Sequence, residues 1–316
     1  MFLPYTGSSD NCYASSLSMA LGPDSPGAGA VDVLTGSPFG MQLHSGETPF
    51  FDPAGWDCEI GLDAVIAALG WTCVREAAGS EEEAAERLRS ASPAEPLLVG
   101  PVEMGLLTHV RGRGAAWGAD HYVVVIGVEK SAAERGAAGG DLVRFHDPKG
   151  YPFASLPLAQ FLTAWRTDSL VYGESFNSRR AFERTAEVTA TQAVRSQLEA
   201  FAQWLRGGHG HPVEAGNLAN AEAAEGLAAM WEAGLSEKTY QDLAFMVPAG
   251  ARRLSDAGAC LAAAGVDEAS AIAARQARLV GGLQYDLAAG RAAEAAGALR
   301  ALGPTYLELA VALERA

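Results

Sequence analysis

Cys12 follows Gly7-Ser8-Ser9-Asp10-Asn11 and leads into Tyr13 to Leu21, which reads as a helix with Leu17 and Leu21 at i,i+4 and a stop at Gly22-Pro23. Three good capping residues precede the cysteine, so its thiol falls within the first helical turn. Backbone amides without helical partners, and the positive end of the helix dipole, favour thiolate there. The same amides can hold the oxyanion of a tetrahedral intermediate. On this local context alone a reactive thiol and a buried structural cysteine weigh equally. Two later segments change the balance. Asp120-His121-Tyr122-Val123-Val124-Val125-Ile126-Gly127-Val128 is a polar start running into a buried strand, and Leu142-Val143-Arg144-Phe145-His146-Asp147-Pro148 is a strand ending in a polar pair. If the two pair antiparallel through a connection at 129–140, with Val128 opposite Asp141, His121 comes opposite Pro148 and beside Asp147. Opposed side chains lie about 4.5–5.5 Å apart, within reach for a carboxylate to orient an imidazole. A helix-start thiol, a histidine and an acid make the nucleophile, base and orienter of thiol acyl transfer.

Other residues invite the same attention and carry less. His109 is the rival catalytic histidine, but it follows an apolar run without the polar-to-strand transition of His121. His146-Asp147 could begin a metal site, yet further His or Asp partners at suitable spacing are missing. His209-Gly210-His211 reads as a solvated loop between helices, and Asp57 and Glu59 read as surface residues before they read as cleft residues. Arg111-Gly112-Arg113 is a compact basic spot; a solvated loop is the plain reading and an anion-docking point the functional one. Cys58, Cys73 and Cys260 stand among apolar neighbours as small core residues, and no CxxC pair occurs.

The elements that must position these side chains fall into two textures. Up to about residue 175 the chain mixes glycine, proline, aromatics and short β-type runs; after about 185 it is alanine-rich and helical. Residues 23–55 read as loop, and Leu62, Val65, Ile66 and Leu69 as a helical stripe closed by Gly70. A short helix is expected over Glu81 to Leu88, and strands over Leu97 to Val102, Tyr122 to Val128 and Leu142 to His146, with a weaker one at Leu170 to Tyr172. A helix over Leu156 to Trp165 separates the last two. Helices first and sequential strands after indicate α+β. Beyond them, Val194, Leu198, Phe201 and Leu205 form an amphipathic stripe ending at Gly207-Gly208. Helices at 218–233, 236–263, 267–288 and 291–314 then suit an antiparallel bundle. The expected domains are 1–178, catalytic, and 179–316, all-α.

Charge excludes some partners. The chain carries a formal net charge of −15, and residues 1–175 hold 10 Lys and Arg against 22 Asp and Glu, a net of −12. Such a surface repels phosphate backbones and anionic membranes, so neither nucleic acid nor membrane is an expected partner. Without a membrane-length apolar run or a signal-like start, a cytoplasmic enzyme is the expectation.

A helix-start Cys12, the distant His121-Tyr122-Val123-Val124-Val125-Ile126-Gly127 and His146-Asp147-Pro148-Lys149-Gly150 together resemble the papain-like bacteriocin-processing peptidases. Gly7…Asn11-Cys12, Pro96-Leu97-Leu98-Val99…Leu107 and Ser155-Leu156…Phe161…Ala164-Trp165 are closer to the butirosin-type acyltransferases of antibiotic biosynthesis, where an appended helical domain is also expected. The resemblance covers roughly 1–175 well and the helical part loosely. It implies a papain-like fold and an amide-forming transfer. Cys12 takes an acyl or aminoacyl group from the phosphopantetheine thioester of an acyl or peptidyl carrier protein, and a small-molecule amine accepts it. No other cofactor is implied. His121 is then the base and later the acid, and Asp147 the orienter. The peptidases usually place a Gln before the Cys as oxyanion donor, where this chain has Tyr5, Thr6 and Gly7. That favours the acyltransferase branch and leaves Asn11 and Thr6 as candidates to join the Cys12 amide in an oxyanion hole. Arg111 and Arg113 are the candidate carrier-docking residues. A cysteine peptidase or thioester hydrolase on the same triad is the alternative; the intact triad disfavours a silent binding module.

Overall fold

The computed structural model describes residues 3–7, 11–130, 140–170 and 172–316. In chain order, helix α1 (Cys12–Leu21) is followed by α2 (Ala28–Leu34), a hairpin of β1 (Gln42–His44) and β2 (Thr48–Phe50), and α3 (Cys58–Ala68). Strand β3 (Trp71–Glu76), helix α4 (Glu81–Ser90) and strands β4 (Leu97–Glu103), β5 (Asp120–Lys130), β6 (Asp141–Asp147) and β7 (Tyr151–Pro157) come next. Helix α5 (Leu158–Trp165) and strand β8 (Ser178–Arg184) complete the β-rich part. The remainder is α6 (Ala190–Ser196), α7 (Leu198–Arg206), a short β9 (Leu218–Ala219), and then α8 (Asn220–Ala233), α9 (Glu237–Ala263), α10 (Asp267–Ala289) and α11 (Ala292–Glu314). The molecule is therefore mixed α+β, with antiparallel sheets and a helical C-terminal region.

The chain divides into two compact units, one of Met1–Ala28 with Trp71–Thr185, the other of Gly29–Gly70 with Ala186–Ala316. In the first, six strands pair antiparallel in the order β3-β8-β4-β5-β6-β7. Strand alternation gives the sheet two apolar faces. Val123 and Val125 of β5 join Leu97, Val99 and Phe145 in a core completed by Leu88 of α4 and by Phe161 and Trp165 of α5. Val124 points the other way, onto Met19 of α1 and Leu3. Helix α4 begins at a full capping box, in which Ser80 and Glu83 satisfy each other's backbone amides.

The second unit corrects two expectations. Residues 23–55 are not loop throughout: α2, β1 and β2 lie within them, short and glycine-interrupted. Nor do 29–70 go with the β-rich part. Phe39 stacks on Phe201 of α7 at 4.0 Å between ring centroids, and Gln42 of β1 pairs with Ala219 of β9. Asp52 takes a hydrogen bond from Arg253 of α9 (3.2 Å) and another from Gln42 Nε2 (2.8 Å). Asp32, fully buried, lies 3.9 Å from the same guanidinium. A buried carboxylate needs such a partner, which ties 29–70 to α9. The expected boundary at 178/179 also cuts through β8, whose Arg179 and Ser178 pair with Leu98 and Val99. The single stripe expected from Val194 to Leu205 is two helices that break at Gln197, and Gly207 closes the second in the left-handed region. Of the weak strand expected at 170–172, Leu170 and Tyr172 are not in a strand and Val171 lies outside the described residues. Residues 151–157, before α5, form a strand that the sequence reading missed. Among the described residues, no helix is long and apolar enough to cross a membrane.

Candidate active site

Cys12 is the first residue of α1 and is 8% exposed. The first helical bond runs from the Ser15 amide to the Asn11 carbonyl (3.0 Å), which leaves the Cys12 amide at the open end of the helix. No acidic side chain occupies the first turn, and Asn11, buried at the N-cap, does not cap the helix with its side chain. Both facts suit an anion at this end. Ser9 and Asp10, the other two expected capping residues, lie outside the described residues. The helix is pinned to the start of β5. Ser16 Oγ donates to the Tyr122 carbonyl (3.1 Å), and the rings of Tyr13 and Tyr122 meet edge to face.

That pinning brings Cys12 to His121, the residue before Tyr122, and the two side chains hydrogen-bond. On its other side the ring's Nε2 meets Asp147 Oδ1 at 2.7 Å, which leaves Nδ1 to face the thiol. His121 is 2% exposed and Asp147 fully buried. The expected register differs in detail. Val128 faces Val143 and Lys130 faces Asp141, and a bulge at Ile126 then shifts the pairing so that Val124 faces His146. Gly127 absorbs the bulge at φ +147°, a conformation that disfavours any side chain. Of the connection expected at 129–140, residues 131–139 lie outside the described residues. His121 and Asp147 nonetheless meet.

The electrostatics are those of a coupled set. Burial opposes a charge on His121, but the Cys12 charge and the hydrogen bonds the imidazolium donates to Asp147 and Cys12 outweigh it and raise the imidazole to about 10. Burial likewise pushes Asp147 up, and hydrogen bonds from His109 and His121 more than reverse it, so the carboxyl stays well below its ordinary range. Lys149 N–H adds a bond to Asp147 Oδ1 (2.8 Å). Tyr5 secures the chain around the acid, its hydroxyl donating to the Asp147 carbonyl (3.0 Å) and accepting from Gly150 N–H (2.8 Å). A side chain at Gly7 would strike Tyr5 and the Pro148 carbonyl.

His109, weighed in the sequence only as a rival to His121, is its neighbour on the same acid: its Nε2 lies 2.9 Å from Asp147 Oδ2. Arg113 also turns inward, its side chain 4% exposed and Nη1 3.9 Å from Asp147 Oδ2. This corrects its expected role, because a guanidinium buried beside Asp147 does not meet a carrier protein at the surface; Arg111 stays exposed. Both placements depend on the loop after β4. Asp120 faces Glu103 and His121 faces Val102, so the loop leaves the sheet beside His121. Glu103, 1% exposed, accepts from the amides of Gly105 (3.0 Å), Trp117 (2.9 Å) and Gly118 (3.0 Å), and from Ser169 Oγ (2.5 Å). A buried carboxylate with four donors and no local pattern is invisible to strand or helix periodicity.

The remaining candidates take structural places. His146 is a staple: its Nδ1 accepts from Phe153 N–H (3.1 Å), which puts the proton on Nε2, donated to the Leu3 carbonyl (3.1 Å). Burial lowers its pKa, consistent with a neutral ring. His209 and His211 both stack on Trp204 within the second unit. Asp57 caps α3 through Ile60 N–H (2.8 Å), and Glu59 is buried in the same unit. Thr6 is half-buried in the segment before α1. All four cysteines are free thiols. Burial and the nearby Asp256 and Asp32 push Cys260 up to about 11, so it is held as a neutral thiol.

Known proteins resemble this chain in part. Residues 214–314 match the YobF C-terminal domain family, which takes in α8 to α11 and none of Cys12, His121 and Asp147. Over 178 residues the chain is 26% identical to "Uncharacterized protein YobF" of Bacillus subtilis (strain 168), a match covering 55% of this chain. The chain thus spans about half, 54%, of the relative it matches, and the family match lies within the helical C-terminal region.

Proposed function

We propose that the protein is a cysteine-dependent acyltransferase of papain-like build, which takes an acyl or aminoacyl group from a carrier-protein thioester and passes it to an amine. The observation that carries the proposal is the chain of contacts from Cys12, at a helix N-terminus, through His121 to Asp147 at 2.7 Å, with all three side chains withdrawn from water. In the first half-reaction the Cys12 thiolate attacks the thioester carbonyl. The oxyanion that forms is held by the Cys12 amide at the head of α1. Collapse breaks the bond to the carrier's sulfur, which leaves with the proton of the His121 imidazolium. In the second, an amine attacks the acyl-Cys12 carbonyl and its proton passes to His121. Cys12 departs as thiolate, and the product is an amide. Asp147 keeps the imidazole in the required tautomer and stabilises its charged form without itself taking the proton.

Papain-like hydrolases begin with the same half-reaction, and the acceptor alone separates the two outcomes. The protein is incubated with an acyl-carrier thioester in the presence and absence of a panel of small amines, and products are resolved by mass. Amide that appears only with protein and amine is the expected result. Free acid alone, at a rate unchanged by any amine, assigns a hydrolase instead.

A further inference from the structure

We infer that His109 is a positioning residue for the Cys12–His121 pair and acts through the second oxygen of Asp147. A carboxylate presents two oxygens in one plane, so a partner on each fixes the rotation of that plane. Oδ1 holds His121 Nε2 at 2.7 Å and the Lys149 amide at 2.8 Å, and Oδ2 holds His109 Nε2 at 2.9 Å. Without His109 the Oδ2 side keeps, among the described residues, only the Arg113 guanidinium, 3.9 Å away and outside hydrogen-bond range. The histidine itself is held firmly. Its side chain is 7% exposed, and its ring stands edge-on to Phe145 at 5.0 Å and to Tyr151 at 5.3 Å. The loop that carries it is clamped at its root by the four donors on Glu103.

A purely structural histidine fits the site poorly. His109 Nδ1 is buried without a hydrogen-bond partner, and an aromatic hydrocarbon between Phe145 and Tyr151 would avoid that loss. What a hydrocarbon lacks is the Nε2 donor, so the imidazole is explained by the bond to Asp147. Among the described residues, the charged and titratable groups around the set are Tyr5 of the N-terminal segment, Cys12 of α1, His121 of β5, Asp147 of β6, Tyr151 of β7, and His109 and Arg113 of the loop. Aligned, Asp147 stabilises the imidazolium and through it the thiolate. Misaligned, it stabilises both less, and thiolate forms only at higher pH.

The inference rests on Cys12, His121 and Asp147 forming one acyl-transfer site, and its test needs no acyl donor. The rate of Cys12 alkylation by iodoacetamide is followed from acid to neutral pH by peptide mapping, for the wild type, His109→Phe and His109→Gln, with circular dichroism as the check on folding. Phe keeps the packing without the donor, and Gln restores a donor near Nε2. The expected result is about tenfold slower labelling of His109→Phe on the acid limb of the profile, with its half-maximal pH raised by about one unit, and His109→Gln within about threefold of wild type there. Wild-type labelling of His109→Phe would overturn the inference, as would a His109→Gln as slow as His109→Phe. A failed transfer assay with this pattern intact would count against the acyltransferase reading and leave His109 in its role.

Discussion

Three histidines near one aspartate show how position decides chemistry for a single residue type. His146 adjoins Asp147 in sequence but bonds Leu3 and Phe153, and it is held neutral. His121, raised to about 10, keeps its proton through neutral pH because the Cys12 charge and Asp147 stabilise the imidazolium against burial. The sign of the pH effect follows. A raised folded-state pKa gives a protonated, stabilised ring below the ordinary histidine range, and that stabilisation is lost as pH rises through about 10. Turnover of a thioester donor should therefore hold level on the alkaline side of neutrality and fall as pH approaches 10, when no imidazolium remains to protonate the leaving thiolate. A profile of kcat/KM against pH measures this; a decline centred near 6.5 would mean an unperturbed imidazole. At this scale Cys12, His121 and Asp147 were legible because each opens or closes a periodic segment. His109 and Arg113 were not, since their inward turn is set by a loop that no period describes.

Elements decide which of those residues meet. The core strands β4, β5 and β6 and the helices α1, α3, α4 and α8 to α11 were readable from apolar periodicity and caps. Strands β3 and β8 were not: β8 reads Ser-Arg-Arg-Ala-Phe-Glu-Arg and β3 alternates between half-buried and exposed positions, so neither shows an apolar run. The register of β5 on β6 was misjudged because a bulge cannot be read from alternation, although Gly127 within a valine-rich strand was its available sign. The loop from 104 to 119 depends on Glu103 more than on its own composition. Replacing Glu103 with Ala leaves the Gly105, Trp117 and Gly118 amides and Ser169 without their acceptor. Hydrogen bonds to a charged group contribute about 1.5–3 kcal/mol each, and water recovers part of the loss at the partly exposed Trp117, Gly118 and Ser169 donors. The expected effect is about 2–3 kcal/mol of lost stability in urea denaturation, accompanied by slower Cys12 labelling as His109 loses its place. A variant with wild-type stability and labelling would show that the loop holds itself.

On the scale of the whole molecule, the chain crosses between units more often than its texture suggests. The change near residue 175 is real as composition, but 29–70 folds with the helices, through Phe39 on Phe201 and the Arg253 contacts to Asp52 and Asp32. Long-range ion pairs of this kind leave no periodic trace, whereas the bundle helices do. The YobF-like match lies in the helical unit, and the candidate triad lies wholly in the other. The proposed activity is therefore tested most directly on the chain with both units, by whether Cys12 carries the acyl group. The protein is mixed with an acyl N-acetylcysteamine thioester, quenched in acid, and mapped by mass, with Cys12→Ala and His121→Ala alongside. One acyl group on Cys12, absent from both variants and discharged to amide when amine is added, is the expected result. Acylation of Cys58, Cys73 or Cys260 in place of Cys12, or equal acylation of the His121→Ala variant, would contradict it.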